Sequence, residues 1–164
     1  MSIRRGEEET PFVSRAFFFL TAGFVLALDQ ITKFLAESFL IHGRSVPVLP
    51  HVFHLTLVEN KGIAFGLFQG MEGLLFVVIT ASIIILAILG WRSQSMQTAD
   101  RWAFSLILGG ALGNWIDRIR VGAVIDFLDF RIWPVFNLAD SAITIGVCLF
   151  FLTLLKGTGK SRVS

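Results

Sequence analysis

The sequence has little of what a soluble domain or a thiol-based site needs. Only 16% of its 164 residues are charged, 54% are hydrophobic and the mean hydropathy is +0.74, which excludes an ordinary soluble domain. The single cysteine, Cys148, excludes an internal disulfide and a metal site of several thiolates, and we expect it to pack as a small apolar residue. The net charge of +2 is too small to indicate a nucleic-acid partner.

Long apolar segments take up much of the chain. Four of them come close to the about 20 helical residues that cross the hydrocarbon core of a bilayer. They cover residues 16–35, 74–91, 102–119 and 136–155. Because these runs are continuously apolar, helices are favoured over the alternating strands of a membrane barrel. We therefore predict an all-α membrane protein with four transmembrane helices in a single domain, residues 1–164.

A cleaved signal peptide is the rival interpretation of the first apolar segment, because basic residues precede it. The apolar run continues past any small-residue cleavage site to residues 29–33, so we expect a permanent span. The distribution of basic residues along the chain indicates the orientation. Eight of the 14 lie in the termini and in the connection between the second and third spans, which the positive-inside rule makes cytoplasmic: Arg4, Arg5, Arg15, Arg92, Arg101, Lys156, Lys160 and Arg162.

The first outer connection, about residues 37–72, is too long for a simple turn. Apolar and polar residues alternate at 53–57, a turn signal follows at 60–62, and a further apolar stretch covers 63–68. This pattern predicts a small extracytoplasmic β element lying on the membrane surface. The connection at residues 92–101 has no apolar periodicity and is predicted to be a plain loop.

Ionisable groups in or beside hydrocarbon are costly, so each one near a span is a candidate functional residue. Asp29 and Lys33 are four residues apart, in the favourable order for a helical ion pair, and direct contact with a substrate is the alternative. On the third span Asn114 shares a face with Asp117 and Arg118, a face suited to holding the second outer loop.

Gly109 and Gly113, in the same span, form a small-xxx-small pair that should let another helix approach closely. The fourth span carries a polar stripe that we expect to face the bundle interior: Asn137, Asp140, Ser141 and Thr144. Asn137 could cap this helix with Asp140 near its positive end, or Asp140 could be functional, and the pattern leaves both open.

The second outer connection, residues 121–135, is predicted to be a short loop that carries Asp126 and Asp129 at the membrane boundary. The three histidines all belong to the first outer connection. The two acids therefore support at most a carboxylate-only magnesium site, which is not favoured.

Four sequence blocks resemble the lipoprotein signal peptidases, also called signal peptidase II. They are DQITK at 29–33, NKGIAF at 60–65, GNWIDR at 113–118 followed by VIDF at 124–127, and FNLADSAI at 136–143. The blocks stand in the expected order against the four predicted spans, without a departure. The resemblance implies a metal-independent aspartic endopeptidase of the bacterial cytoplasmic (inner) membrane, which removes signal peptides from prolipoproteins N-terminal to a diacylglyceryl-modified cysteine.

By this resemblance the catalytic pair is Asp126 and Asp140, at the outer (periplasmic) face, and Asp117 is structural. The residues that would bind substrate or support the pair are Asp29, Lys33, Asn60, Gly62, Asn114, Arg118, Asn137 and Ala139. The resemblance implies no cofactor and no metal. The expected partners are the diacylglyceryl-prolipoprotein substrate, membrane lipid and a globomycin-type inhibitor, and we expect a monomer.

Two neighbouring carboxylates share one proton, so one can act as base and the other as acid on a water molecule. Because a helix N-terminus favours the charged form, we predict that Asp140 is the base and Asp126 the acid.

Three other classes of protein remain as alternatives. A proton-coupled transporter would line a pathway with polar residues, but the acids cluster toward one membrane face and the sequence has no internal repeat. A metal-dependent lipid-modifying enzyme would use Asp117, Asp126 and Asp129 as ligands. A purely structural membrane protein is the third.

Overall fold

The computed structural model describes residues 11–62 and 72–159. These ranges contain the helices α1 (Pro11–Phe39), α2 (Glu72–Trp91), α3 (Thr98–Val121) and α4 (Leu138–Gly159). The strands β1 (Ser45–Leu49) and β2 (Phe53–Asn60) lie between α1 and α2 in the sequence, and β3 (Val124–Asp129) lies between α3 and α4. The helices occur where the apolar segments predict them, although α1 and α3 extend beyond the predicted bounds and α4 begins two residues later.

The fold is mainly helical and contains apolar segments suited to a membrane. Within the described ranges, three segments are long and apolar enough to cross one: Val13–Phe39, Gly73–Trp91 and Leu138–Lys156. The remaining predicted span, residues 102–119, corresponds to α3. At 24 residues α3 is long enough to cross a membrane, but it is less apolar than the other helices because charged residues stand near both of its ends. It packs against each of the other three helices.

The predicted role of Gly109 and Gly113 in helix packing is confirmed. A Cβ atom at Gly109 would lie 2.6 Å from the carbonyl oxygen of Ala22 on α1. A Cβ atom at Gly113 would overlap the carboxylate of Asp29, which lies about two helical turns after Ala22 on α1. Glycine at these positions therefore allows α1 to lie directly against α3.

The three strands form one antiparallel sheet in the order β1-β2-β3. The strand predicted from the alternation at 53–57 is confirmed as β2. The apolar stretch at 63–68 lies outside the described residues. A register shift between Leu55 and Val58 places Val58 opposite Asp126. An apolar cluster of Ala36 and the buried strand residues Leu57, Ile125 and Phe127 fastens the sheet to the end of α1.

Two predicted loops contain regular structure. The second outer connection is not a plain loop, because the apolar residues around Asp126 pair with β2 and bury themselves against α1. The connection at 92–101 contains a 3₁₀ turn, Ser93–Ser95, and α3 already begins at Thr98. Ser93 is buried, and its hydroxyl donates a hydrogen bond to the carbonyl oxygen of Ser14 on α1.

Alanine substitutions at two glycines test the close approach of α1 and α3. We expect Gly109→Ala to lower the free energy of unfolding by about 1–3 kcal/mol, because the new methyl group meets the backbone of Ala22. Gly23 on α1 has nothing within 4 Å of an added Cβ, so Gly23→Ala should be neutral or stabilising by up to about 1 kcal/mol. Unfolding in detergent micelles measures both, and equal losses would contradict the packing argument.

Candidate active site

A cluster of three buried ions lies where α1 meets α3. The ammonium of Lys33 is 2.8 Å from Oδ2 of Asp29 and 2.7 Å from Oδ2 of Asp117, and none of the three side chains is more than 1% exposed. The predicted ion pair of Asp29 and Lys33 is thus confirmed, and Asp117 joins it. Charges removed from water in this way need such partners, because an unpaired buried charge is strongly destabilising.

The two acids of this cluster also hold backbone groups of other elements. Oδ1 of Asp29 accepts a hydrogen bond of 2.9 Å from the main-chain N–H of Ala139, in the first turn of α4. Oδ2 of Asp117 accepts one of 3.2 Å from the N–H of Ile125 in β3. The cluster therefore connects both long helices to the strand and to the helix that carry the candidate catalytic acids. The contribution of Ala139 is its main-chain N–H.

Gln30 belongs to the same cluster and was missed by the sequence analysis. Its Nε2 lies 3.1 Å from Oδ1 of Asp117, 3.2 Å from the carbonyl oxygen of Gly113 and 3.3 Å from Oδ2 of Asp29. The search for ionisable groups could not find it. An uncharged amide inside an apolar run, adjacent to an acid, was the available signal.

An amide connects Lys33 to Asp140. The ammonium of Lys33 donates to Oδ1 of Asn114 at 2.9 Å, and Nδ2 of Asn114 donates to Oδ1 of Asp140 at 2.8 Å. Because a lysine ammonium can only donate, it fixes which end of the Asn114 amide faces it. The other end must then present its N–H group to Asp140.

Asn137 contacts both candidate catalytic acids. Its Oδ1 accepts a hydrogen bond of 2.8 Å from the N–H of Asp140, which confirms it as the N-cap of α4, and its Nδ2 donates to Oδ1 of Asp126 at 2.7 Å. The main-chain N–H of Asn137 also donates to Oδ2 of Asp140, at 3.4 Å. The capping interpretation is therefore confirmed, and the same side chain also contacts Asp126, so capping does not exclude a functional role for the stripe.

The stripe does not face the bundle interior throughout. Thr144 is exposed, so the prediction was wrong for this residue. Its hydroxyl donates to the carbonyl oxygen of Asp140 one turn earlier, so it needs no partner from another helix.

Asp126 projects from β3 and is only 1% exposed. Its Oδ2 accepts a hydrogen bond of 3.0 Å from Nδ2 of Asn60 on β2, so both of its oxygens receive amide donors. Burial and, second, the nearby charge of Asp140 raise the pKa of Asp126 to about 7. This carboxyl group can therefore hold a proton near neutral pH.

The turn after β2 is held over α3. Oδ1 of Asn60 accepts the N–H of Gly62 at 3.0 Å. The guanidinium of Arg118 donates to the carbonyl oxygens of Gly62 and Asn114, each at 3.1 Å. These contacts fix the position of the Asn60 amide relative to α3. They therefore also orient its Nδ2 toward Asp126.

A cleft of about 430 Å³ opens in front of these residues. Asp140 lines it directly, and Asp126 lies one hydrogen bond behind the lining amide of Asn60. The other polar lining residues are Gly62, Asn114, Arg118 and Thr144, and an apolar wall comes from residues 133–136 and from α2. The structure thus brings together all ten residues singled out by the resemblance, either at the cleft or in the hydrogen-bonded network behind it.

Asp129 is engaged elsewhere on the sheet. Its carboxylate accepts hydrogen bonds from the hydroxyl of Thr56 at 2.8 Å and from the guanidinium of Arg131 at 3.1 Å. Burial acts to raise the pKa of Asp129, but these donors outweigh it and hold the pKa below its usual value. Asp117, Asp126 and Asp129 therefore have separate partners. Within residues 11–62 and 72–159, no group of three or more His, Cys, Asp or Glu is arranged to hold a metal ion.

A mainly helical chain with three apolar candidate spans and a small three-stranded sheet has the fold of a known class of membrane enzyme. A bacterial membrane enzyme solved by the in meso method at 2.3 Å resolution superposes with a TM-score of 0.82 and 36% identity, over 90% of this chain and 92% of that one. A second such structure, at 1.9 Å resolution, superposes with a TM-score of 0.76 and 37% identity, over 85% of this chain and 92% of that one.

Sequence comparisons identify the family. The family model of signal peptidase (SPase) II matches residues 21–156. The lipoprotein signal peptidase of Pelotomaculum thermopropionicum is 44% identical over 146 residues, 88% of this chain and 95% of the relative. That of Halothermothrix orenii is 48% identical over 133 residues, 79% of this chain and 89% of the relative. The chain belongs to the signal peptidase II family, whose members are membrane aspartic proteases, and the resemblance carried by the four sequence blocks is confirmed.

Removing the buried cation should be far more damaging than removing an exposed one. We expect Lys33→Met to lower the free energy of unfolding by about 3–5 kcal/mol, because Asp29 and Asp117 would be left buried without their cation. The matched control is Arg120→Met, which breaks the partly exposed pair with Glu37 and should cost less than about 1 kcal/mol. Unfolding in detergent micelles compares the two, and similar small losses would refute the structural role of Lys33.

Proposed function

We propose that Asp126 and Asp140 are the catalytic pair of this protein. As a member of the signal peptidase II family, the protein is a membrane aspartic endopeptidase that removes signal peptides from prolipoproteins. The observation that carries the assignment is that Asn137 binds both carboxylates: its side-chain Nδ2 donates to Oδ1 of Asp126, and its main-chain N–H donates to Oδ2 of Asp140. Each acid has a further amide donor of its own, from Asn60 or from Asn114.

The surroundings of the two acids favour different roles. Asp126 is almost fully buried and has a pKa of about 7, so it is suited to hold the shared proton and act as the acid. Asp140 lines the cleft and stands in the first turn of α4, where the helix dipole favours a carboxylate. From the described residues, its Oδ2 receives one hydrogen bond, the longer one of 3.4 Å, so this oxygen can also bind a water molecule.

The reaction then proceeds by acid–base catalysis on water, without an acyl-enzyme. Asp140 accepts a proton from the water molecule while the water oxygen attacks the scissile carbonyl carbon. Asp126 donates its proton to the carbonyl oxygen. In the second step Asp126 recovers a proton from the hydroxyl of the tetrahedral intermediate. The C–N bond breaks as Asp140 passes its proton to the leaving amine. Both acids return to their starting states.

The cleft should lie at the outer face of the bacterial inner membrane. If α3 also crosses the membrane, both termini and the connection at 92–101 lie on one side, and the eight basic residues there support a cytoplasmic location for that side. The sheet and the cleft are at the opposite end of α3 from Thr98, its first residue. At this boundary the peptide bond next to a diacylglyceryl-modified cysteine meets water while the acyl chains stay in lipid. A globomycin-type inhibitor is expected to compete for the same cleft, and a monomer contains every residue of the proposed site.

Separate substitutions test the pair. Asp126→Asn and Asp140→Asn should each lower kcat on a lipidated precursor by about 10²–10⁴-fold, because each removes a group that transfers a proton. Asp129→Asn is the matched control, since that acid binds Thr56 and Arg131, and it should keep near-wild-type turnover. Robust turnover by either of the first two variants would sink the assignment. Activity abolished by a chelator and restored by magnesium would favour the metal-dependent alternative.

The raised pKa of Asp126 predicts a pH dependence of both activity and stability. The value of kcat/KM should fall as the pH rises through about 7, because the acid loses its proton. Between the ordinary carboxyl pKa of 3.8 and about 7 the folded protein holds a proton that the unfolded chain does not, so the free energy of unfolding should decrease across that window.

Asp126→Asn cannot titrate at this position, so the decrease should be smaller in this variant. Unfolding curves at a series of pH values measure the difference. An identical slope for wild type and variant would show that Asp126 does not hold the proton.

A further inference from the structure

A cation is held where α1 meets the last residue of α2, at the opposite end of α2 from the cleft. Nε of Arg15 on α1 donates a hydrogen bond of 2.8 Å to the carbonyl oxygen of Trp91. The guanidinium also lies over the indole ring of Trp91, with its carbon 4.7 Å from the ring centroid. Together with the neighbouring apolar side chains Phe19 and Ile88, these two residues form what we call the α1–α2 corner.

Capping of α2 uses only part of the Arg15 side chain. The carbonyl group of Trp91, the last residue of α2, has no acceptor role within the helix, and the Nε–H group supplies its donor. A guanidinium has five N–H donors arranged as a planar fork. Within the described residues, the bond to Trp91 is the one hydrogen bond that this side chain makes. The edge formed by its two Nη groups can therefore bind an acceptor with two oxygens, such as a phosphate.

We propose that the α1–α2 corner binds the phosphate of an anionic phospholipid. Four of the described charged residues at this end of the bundle are basic, and one, Asp100, is acidic. The basic ones are Arg15, Arg92, Arg101 and Lys156. Asp100 accepts a hydrogen bond from the hydroxyl of Thr153 on α4 and forms no ion pair with Arg15. The excess of cations favours a headgroup with a net negative charge.

The depth of the corner in the membrane fits a lipid headgroup. The 20 residues of α2 form a helix of about 30 Å, which is the thickness of the hydrocarbon core, so Trp91 lies at its boundary. Trp91 is 61% exposed, as expected for a tryptophan between hydrocarbon and headgroups. A guanidinium that lies over this ring is therefore at the level of the lipid phosphates.

An apolar surface continues from the corner toward the middle of the membrane. Phe19 lies one turn after Arg15 on α1, and Ile88 lies one turn before Trp91 on α2. Their side chains are 39% and 51% exposed. The acyl chain of a bound phospholipid can cover them, whereas inorganic phosphate cannot. This additional apolar contact favours a lipid over free phosphate.

Close packing of α1 and α2 holds the corner in shape. A Cβ atom at Gly90, next to Trp91, would overlap the ring of Phe18 on α1. The hydroxyl of Ser93 donates a hydrogen bond to the carbonyl oxygen of Ser14, the residue before Arg15. The guanidinium is therefore placed against Trp91 before any lipid binds, and little freedom has to be lost on binding.

The test measures binding of phosphatidylglycerol to the purified protein in neutral detergent micelles, by native mass spectrometry at increasing lipid concentrations. Arg15→Gln should raise the Kd about fivefold, as expected when one cation near a membrane surface is removed. Arg15→Lys keeps the charge but loses the planar fork, so it should also weaken binding severalfold. Lys156→Gln is the matched control. It removes an exposed cation at the same end of the bundle and should leave the Kd within about twofold.

Arg15→Lys also guards against misfolding, because its ammonium can still bind the carbonyl oxygen of Trp91. An unchanged Kd for either Arg15 variant, or an equal change in Lys156→Gln, would overturn the proposal. Phosphatidylcholine that binds as tightly as phosphatidylglycerol would overturn the preference for an anionic lipid. Inorganic phosphate that displaces phosphatidylglycerol at equal concentration would assign the corner to free phosphate instead. Because every readout is binding, the result does not depend on the proposed catalytic pair.

Discussion

The buried ammonium of Lys33 is the interaction on which the rest of the site depends. One cation pairs with two acids from different helices, and each acid also accepts a hydrogen bond from a backbone N–H of another element, Asp29 from Ala139 in α4 and Asp117 from Ile125 in β3. In an apolar bundle there is no water to replace these contacts, so their geometry is strongly restrained. Strand β3 and helix α4 each carry one of the proposed catalytic acids. Asp117 attaches β3 to this cation, and both Asp29 and the Asn114 amide attach α4 to it.

The same cation also sets the direction of the hydrogen bonds around the pair. Lys33 fixes the Asn114 amide, and the N-terminus of α4 fixes the Asn137 amide, so both present N–H groups to carboxylates. The acids are thereby surrounded by donors, which favours a shared negative charge over two neutral groups. Burial opposes a second charge, in agreement with the proposal that the pair shares one proton and that Asp126 holds it.

Local sequence patterns were sufficient to predict the helices, the strand β2 and the close packing at Gly109, because each of these features depends on residues that are near one another in the sequence. It could not find β3, since six residues between two helices carry too little alternation, and the pairing with β2 depends on contacts about 66 residues away in sequence. Charge spacing predicted the pair of Asp29 and Lys33 but not Gln30, whose role depends on its neighbours in space. The choice of Asp126 over Asp117 and Asp129 came from family resemblance. The distinct hydrogen-bond partners of the three acids now give it a physical basis.

The free side of β3 has a further consequence for a protein that handles extended peptides. The N–H and C=O of Ile125 are bound by the side chains of Asp117 and Asn137, the N–H groups of Phe127 and Leu128 donate to the carbonyl oxygen of Phe136, and the C=O of Leu128 accepts from the N–H of Phe136. Among the described residues these backbone groups are already paired, so a passing chain cannot use them to add as a strand. The paired groups of β3 thus limit association with another strand, and recognition of a peptide along this edge then depends on side chains, which can distinguish one sequence from another.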